Sequence, residues 1–313
     1  MGDVSSIEWT DATWNPVVGC ARVSPGCDHC YAARESAGRL RNLPRYAGLA
    51  ERVDGVPEFT GEVRMVPEVL EQPLHWSRPR RIFVNSMSDL FHPGIARGWL
   101  DQIFEVMEAA SQHQFQILTK RPVEAFEYLW GHAHKPDVAL AVEQFVPGRW
   151  YDRLAPEHIW LGTSIESDRY VFRTRSLVRT PAAVRFLSLE PLLGPLPRLD
   201  LTDVDWVIVG GESGPRARPM HPAWVRDIRA RCALNGIPFL FKQWGEWCPA
   251  PLNVTTEQAA AGVWMFPDGQ LLPGTTLRPF DAELMIRPGK RIAGRLLDGR
   301  HHDGYPRELA ARG

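Results

Sequence analysis

Three of the chain's five cysteines, Cys20, Cys27 and Cys30, fall within eleven residues and are spaced Cys-x6-Cys-x2-Cys. Two thiolates separated by two residues can turn toward one metal centre. The third reaches back across a loop that carries Pro25 and Gly26. Structural zinc normally takes four ligands, so it would need His29 or a distant group beside the three sulfurs. Three thiolates with one coordination position open suit a 4Fe–4S cluster whose fourth iron binds something else. Packing of the thiols into a small core is the weaker reading, because a loop flanked by glycine and proline offers little core to fill. Cys232 lies on the apolar face of a predicted helix and reads as a buried thiol. Cys248 follows the last predicted strand, where packing is the simplest role. An odd number of cysteines without an export signal argues against a disulfide framework.

A second set of polar residues ends the short apolar runs. One run ends in Asn85, Ser86, Met87, Ser88 and Asp89, and the next in Thr119, Lys120 and Arg121. Later runs end in Thr163, Ser164 and Glu166, in Ser188 and Glu190, in Gly210, Gly211 and Glu212, and in Lys242 and Gln243. In parallel β/α folds, ligand-binding and catalytic residues gather at the carboxyl ends of strands. Arginines cluster locally, at Arg34, Arg39, Arg41 and Arg45, at Arg78, Arg80 and Arg81, and around Arg287, Lys290, Arg291, Arg295 and Arg300. With Trp76, Trp244 and Trp247 they could line a groove for a nucleic acid, or form a solvated surface of ion pairs.

The elements that must position these groups follow from periodicity. Strands are expected at Asn15–Gly19, Arg81–Met87, Phe115–Lys120, Ile159–Ile165, Val184–Glu190, Trp206–Gly211 and Pro238–Gln243, each too short and too β-rich for a helix. Between them, Gly98–His113 repeats Leu100, Ile103, Phe104 and Met107 on one helical face. Pro222–Asn235 opens with proline and closes on Asn235 and Gly236. Alternating strand and helix predicts an α/β fold, a full or partial parallel β/α (TIM-like) barrel with an N-terminal three-cysteine loop. The expected division is residues 1–248 as the barrel and residues 249–313 as an irregular C-terminal extension packed on it.

The 313 residues are 44% hydrophobic and carry 36 basic against 37 acidic residues, which excludes a disordered chain and a globally basic nucleic-acid coat. No apolar run is long enough for a membrane span, and no secretory signal is evident, so a cytoplasmic protein is expected.

The segment Gly26–Ala32 (GCDHCYA), lying just after the first predicted strand, resembles the radical S-adenosylmethionine superfamily, and within it the spore photoproduct lyase-like branch. Ile82–Asp89 (IFVNSMSD) and Gln116–Lys120 (QILTK) match downstream in the same order. This resemblance covers roughly residues 13–245 and is specific around the cysteines. Over nearly the whole chain the sequence more closely resembles a phage- and bacteria-associated family of unassigned function. The residues that carry this second resemblance are Thr13–Pro16, Val209–Gly214, Phe241–Gly245 and Ala293–Gly299. The chain departs from the superfamily in having six residues rather than three between its first two cysteines, and His29 where an aromatic is common.

The superfamily resemblance implies a 4Fe–4S cluster on Cys20, Cys27 and Cys30, with S-adenosylmethionine on the open iron. Lys120 would meet its carboxylate, Ser88 and Asp89 its amine, and Ser164 and Glu166 its ribose; Glu190 and Glu212 are further candidate cofactor contacts. The implied activity is radical SAM-like, of lyase or oxidoreductase type: an external donor supplies an electron, S-adenosylmethionine is cleaved to a 5′-deoxyadenosyl radical, and hydrogen is taken from a substrate. A nucleic acid or a modified or damaged base is the substrate suggested by analogy. The alternative is a non-enzymatic protein in which zinc or an inert cluster braces a nucleic-acid-binding surface. A barrel hydrolase using Glu190 and Glu212 would leave the cysteines without a role.

Overall fold

The structure, a computed structural model, describes residues 5, 7–133 and 155–306. Seven strands form one sheet in sequence order: β1 (Ala12–Trp14), β2 (Arg81–Val84), β3 (Gln114–Thr119), β4 (Ile159–Ser164), β5 (Arg185–Leu189), β6 (Trp206–Gly210) and β7 (Phe239–Gln243). Adjacent strands run parallel, and sequential order is the topology of a partial TIM-like barrel. Helices α1 (Tyr31–Ala37), α2 (Arg97–Ala109), α3 (Pro122–Ala133), α4 (Arg173–Arg179) and α5 (Pro222–Leu234) follow strands as crossover elements or precede the next one. In α2 the predicted stripe Leu100, Ile103, Phe104 and Met107 is buried. Helix α5 starts as its proline predicts: His221 caps it by accepting the Ala223 N–H at 3.1 Å on Nδ1, and Gly236 beyond its end takes a φ of 66°.

The first strand differs from the sequence expectation. The sheet strand is Ala12–Trp14, and Val17–Val18 instead pairs antiparallel with Arg64–Met65 outside the sheet. Pro16 separates the two pieces; it has no N–H to give a ladder, so the strand ends before it. A hairpin that periodicity did not flag joins Ala50–Val53 to Val56–Phe59. Its turn is Asp54–Gly55 with φ of 49° and 76°, the left-handed pair that a two-residue hairpin needs. The segment expected to be irregular carries a four-stranded antiparallel sheet, ordered Cys248–Pro249, Glu283–Ile286, Val263–Met265 and Leu271–Pro273.

Contacts divide the chain into two compact units. The first takes residues up to Ser164 together with Arg173–Phe186, and the second takes Ile165–Phe172 and Leu187–Arg307. The core of the first unit is aromatic: the Trp9 ring lies 4.7 Å from Phe83 and 6.1 Å from Phe186, and Trp14 lies 5.9 Å from Phe115. A separate cluster of Val18, Ala32, Leu40, Tyr46, Leu49, Val66 and Met87 lies beneath the cysteine loop, with Cys30 packed against it. In the second unit, Trp206 donates to the Gly304 carbonyl at 2.8 Å, and its ring lies 4.6 Å from Tyr305. Gly304 and Tyr305 thus pack back on the sheet.

Burial in this fold makes stability depend on pH. Desolvation holds the imidazoles of His92, His113 and His221 below their usual pKa of 6.5. His113 shows why: its Nε2–H donates to the Pro73 carbonyl at 2.9 Å, and its Nδ1 is buried with no partner, so a second proton would be a buried unpaired charge. The unfolded chain therefore binds more protons than the folded one below about pH 6.5. The histidine contribution to stability should be complete above that pH and should fall as the pH drops toward the depressed folded values. Asp11 and Asp298, held below 3.8 by hydrogen bonds from Arg81 and Arg226, add their own loss only at lower pH. Urea midpoints at pH 7.5 and 5.5 check this: the second should be lower, and His113→Gln should shrink the difference. Equal midpoints would refute the argument.

Candidate metal and cofactor site

The cysteine loop leaves Val18 through Gly19, whose φ is 91° and whose added Cβ would lie 2.2 Å from the Glu62 carbonyl oxygen. A side chain has no room there, so the turn that delivers Cys20 is written by this glycine. Gly19 donates to the Met87 carbonyl at 3.2 Å and pairs as an isolated parallel bridge with Ser88. Pro25–Cys27 forms one 3-10 turn, and Cys30 is the residue before α1. All five cysteines are free of disulfides. The three loop sulfurs lie within electrostatic reach of one another: desolvation, then Asp89, then the Cys30 and Cys27 thiols push the Cys20 thiol up to about 12. Desolvation also raises Cys30, against backbone N–H groups of Ala33 and Ala32 and the Lys120 ammonium, which favour its thiolate. Among the described residues, no three His, Cys, Asp or Glu side chains stand close enough to share one metal ion.

The segment after β2 joins this loop to the end of β3. Asn85 turns the chain with a φ of 57°, donates its N–H to the Trp14 carbonyl at 2.8 Å, and accepts the Val17 N–H on Oδ1 at 3.4 Å. Asn15 Oδ1 accepts from Ser86 Oγ at 3.1 Å and from the Met87 N–H at 2.9 Å. Ser88 Oγ donates to the Val17 carbonyl at 3.0 Å, and the Tyr31 hydroxyl donates to the Ser86 carbonyl. Asp89 is nearly buried and its carboxylate takes three donors: Thr119 Oγ1 at 2.6 Å, the Phe91 N–H at 3.1 Å and the Lys120 N–H at 2.9 Å. Ser88, Asp89 and Lys120 are therefore brought to the cysteines, with the Asp89 carboxylate committed to holding the end of β3.

The remaining candidates have other neighbours. Ser164, buried at the end of β4 in the first unit, accepts an Arg173 N–H at 2.9 Å on its backbone oxygen. Glu166 is fully buried in the second unit, and its backbone oxygen accepts from Leu193 at 2.7 Å. The Glu190 carboxylate pairs with Lys242 Nζ at 3.1 Å. The Glu212 carboxylate is clasped by Arg218, through Nη2 at 2.6 Å, Nε at 2.8 Å and the backbone N–H at 2.8 Å. The arginine clusters are partly answered within the chain: Arg39 by Glu35, Arg81 by Asp11 and Arg295 by Asp303, with Arg80 over the Trp76 ring at 4.7 Å and Arg287 over Trp247 at 5.9 Å. Sequence reasoning missed Asn15 as the brace of the β2 loop, and the Glu190–Lys242 pair. Composition held a signal for the second: four of the 36 basic residues are lysines, and two of those four, Lys120 and Lys242, stand at carboxyl ends of strands.

The fold and site define a parallel α/β protein with three free thiols in the loop between its first sheet strand and first helix. The chain belongs to the family described as "Protein of unknown function (DUF5131)", whose profile matches residues 4–306. This agrees with the near-full-length resemblance to a family of unassigned function. No curated protein matches the chain. Among solved structures it is similar to a Tyr-to-Phe variant of spore photoproduct lyase, at 12% identity over 92% of this chain and 71% of that one, with a TM-score of 0.39. A Cys-to-Ala variant of the same enzyme gives 12%, 92%, 71% and 0.40. A doubly substituted variant with bound AdoMet and dinucleoside spore photoproduct gives 10%, 89%, 68% and 0.37. Among the described residues, no helix is long and apolar enough to cross a membrane.

Proposed function

We propose that this protein is a radical SAM-like enzyme in which Cys20, Cys27 and Cys30 hold a 4Fe–4S cluster and S-adenosylmethionine takes the open iron. The observation that carries the reading is the donor set: three free thiols of one loop within electrostatic reach of one another, with Lys120 in reach of Cys30. When bound, the pair supplies reductive cleavage of the sulfonium to methionine and a 5′-deoxyadenosyl radical, with the electron from an external donor.

The chain's own part is binding and orientation. Lys120 offers a cation for the amino-acid carboxylate, and Ser88 a hydroxyl beside the loop. Asp89 acts as a positioning residue, because its carboxylate fixes the backbone N–H of Lys120. Glu190 and Glu212 already hold cations of this chain and are left out of the cofactor site. The barrel segment is taken as residues 1–248 and the rest as an extension. A nucleic acid or a modified base is the proposed substrate, on analogy with the superfamily branch that the cysteine segment resembles.

The test is anaerobic reconstitution with iron and sulfide, then EPR of the reduced protein with and without S-adenosylmethionine. The expected result is a 4Fe–4S signal that changes on adding the sulfonium and disappears in Cys27→Ala. One equivalent of zinc in a colourless protein would replace this reading with the metal-braced binding module. A cluster indifferent to S-adenosylmethionine would remove the enzyme assignment.

A further inference from the structure

We infer that Lys242 anchors an oxyanion-binding site at the carboxyl edge of β5, β6 and β7 in the second unit. Three features of the backbone build it. The ladder between β6 and β7 shifts register at Val209 and Gly210, so that Val209 faces Phe241 and Gly210 faces Gln243. Lys242 is thereby the extra residue of a bulge, a device that re-aims a side chain and is common beside active sites. Its Nζ reaches Glu190 Oε1 at 3.1 Å, and Ser188 Oγ steadies the other carboxylate oxygen at 3.1 Å. Gly210 makes room for this contact, since a Cβ there would lie 2.5 Å from Glu190 Oε1.

The chemistry follows from what the pair leaves open. The side chains of Lys242 and Glu190 are 19% and 14% exposed, so both charges are largely desolvated yet reachable. An ammonium has three N–H donors, and Glu190 takes one of them. Among the described residues the other two meet no acceptor, at the edge of a parallel sheet where ligands bind. A lysine oriented by a glutamate is how protein kinases hold phosphate oxygens. The Glu212–Arg218 pair is the contrast, since its carboxylate already accepts both arms of the fork and a backbone N–H. Arginine fills nearly every other basic position of the chain, whereas this one holds a compact ammonium. The ligand class is a phosphate or carboxylate oxygen. The inference concerns the second unit and does not rest on the cysteine-loop reading, so the two can fail separately.

The full chain grown with 13C-labelled lysine gives four ε-CH2 signals, one for each lysine. Lys242→Arg identifies the one that matters. At constant ionic strength, inorganic phosphate should move that signal saturably in the millimolar range while the exposed Lys290 barely responds. Gly210→Ala, which keeps the lysine but displaces Glu190, should weaken binding roughly tenfold, the worth of about one charge-assisted hydrogen bond. Lys242→Met should abolish it. A saturable response to phosphate and not to acetate assigns a phosphoryl ligand, and a response to acetate as well assigns a carboxylate; both support the site. No response, or a linear one shared with Lys290, overturns it. Should the Lys242→Met chain not fold, the wild-type titration and Gly210→Ala still decide.

Discussion

Asp89→Ala should lower the unfolding free energy by about 4 kcal/mol, from three charge-assisted hydrogen bonds and the buried donors their loss leaves unpaired. Thr119 Oγ1 and the backbone N–H groups of Phe91 and Lys120 all converge on this carboxylate. The steps toward that loss can be separated. Thr119→Val removes one donor to Asp89 and the acceptor of the Arg121 N–H, and should cost about 2 kcal/mol. Asp89→Asn keeps Oδ1 but sets an amide N–H against the Lys120 N–H, and should fall between. Urea unfolding at pH 7 orders the variants. The positioning role needs a second readout, because a stability loss alone would follow from any buried carboxylate. In Asp89→Asn the Lys120 ε-CH2 signal should broaden or shift while that of Lys242 stays in place. An unmoved Lys120 would reduce Asp89 to a structural strut.

Gly19→Ala should cost about 3 kcal/mol and should sharply reduce iron uptake, combining left-handed strain with a backbone collision. Its φ of 91° disfavours any side chain, and its Cβ would enter the Glu62 carbonyl, which cannot swing aside as a flexible side chain can. Relief requires moving either residues 61–63 or the turn itself. The turn is tied to Met87 and Ser88, so moving it drags Cys20 away from Cys27 and Cys30. Gly48 supplies the control, with a φ of 79° and nothing within 4 Å of an added Cβ. Gly48→Ala should show the strain alone, about 1 kcal/mol, with normal iron uptake. Equal uptake by the two variants would mean that the cysteines tolerate a displaced turn.

Much of the fold was legible in the chain order of its apolar runs. Six of the seven sheet strands fall within predicted runs or one residue outside them, because a strand buried on both faces needs an unbroken apolar stretch wherever it pairs. The caps of α5 were legible for the same reason: proline, asparagine and glycine act on their own residues' backbone angles. The first strand was misplaced because Val17 and Val18 satisfy the same local preference as Ala12–Trp14, and only the pairing partners distinguish them. The C-terminal sheet escaped notice because its strands are two to four residues long, too short to show a period.

For the site, the sequence by itself determined which groups are available: three clustered thiols, and a polar residue at the end of each strand. The tertiary structure decided what those groups hold. Asp89 meets Thr119 across thirty positions of chain, and Glu190 meets Lys242 across a glycine of the intervening strand. Glu212 and Glu190 follow consecutive strands and look alike in sequence, yet one is closed by an arginine fork and the other leaves an ammonium with donors to offer. Strand periodicity and helix capping act within a few residues and leave their mark in the sequence. The partner of a charged side chain is set by which strands become neighbours and how their registers slip, and no local pattern encodes that.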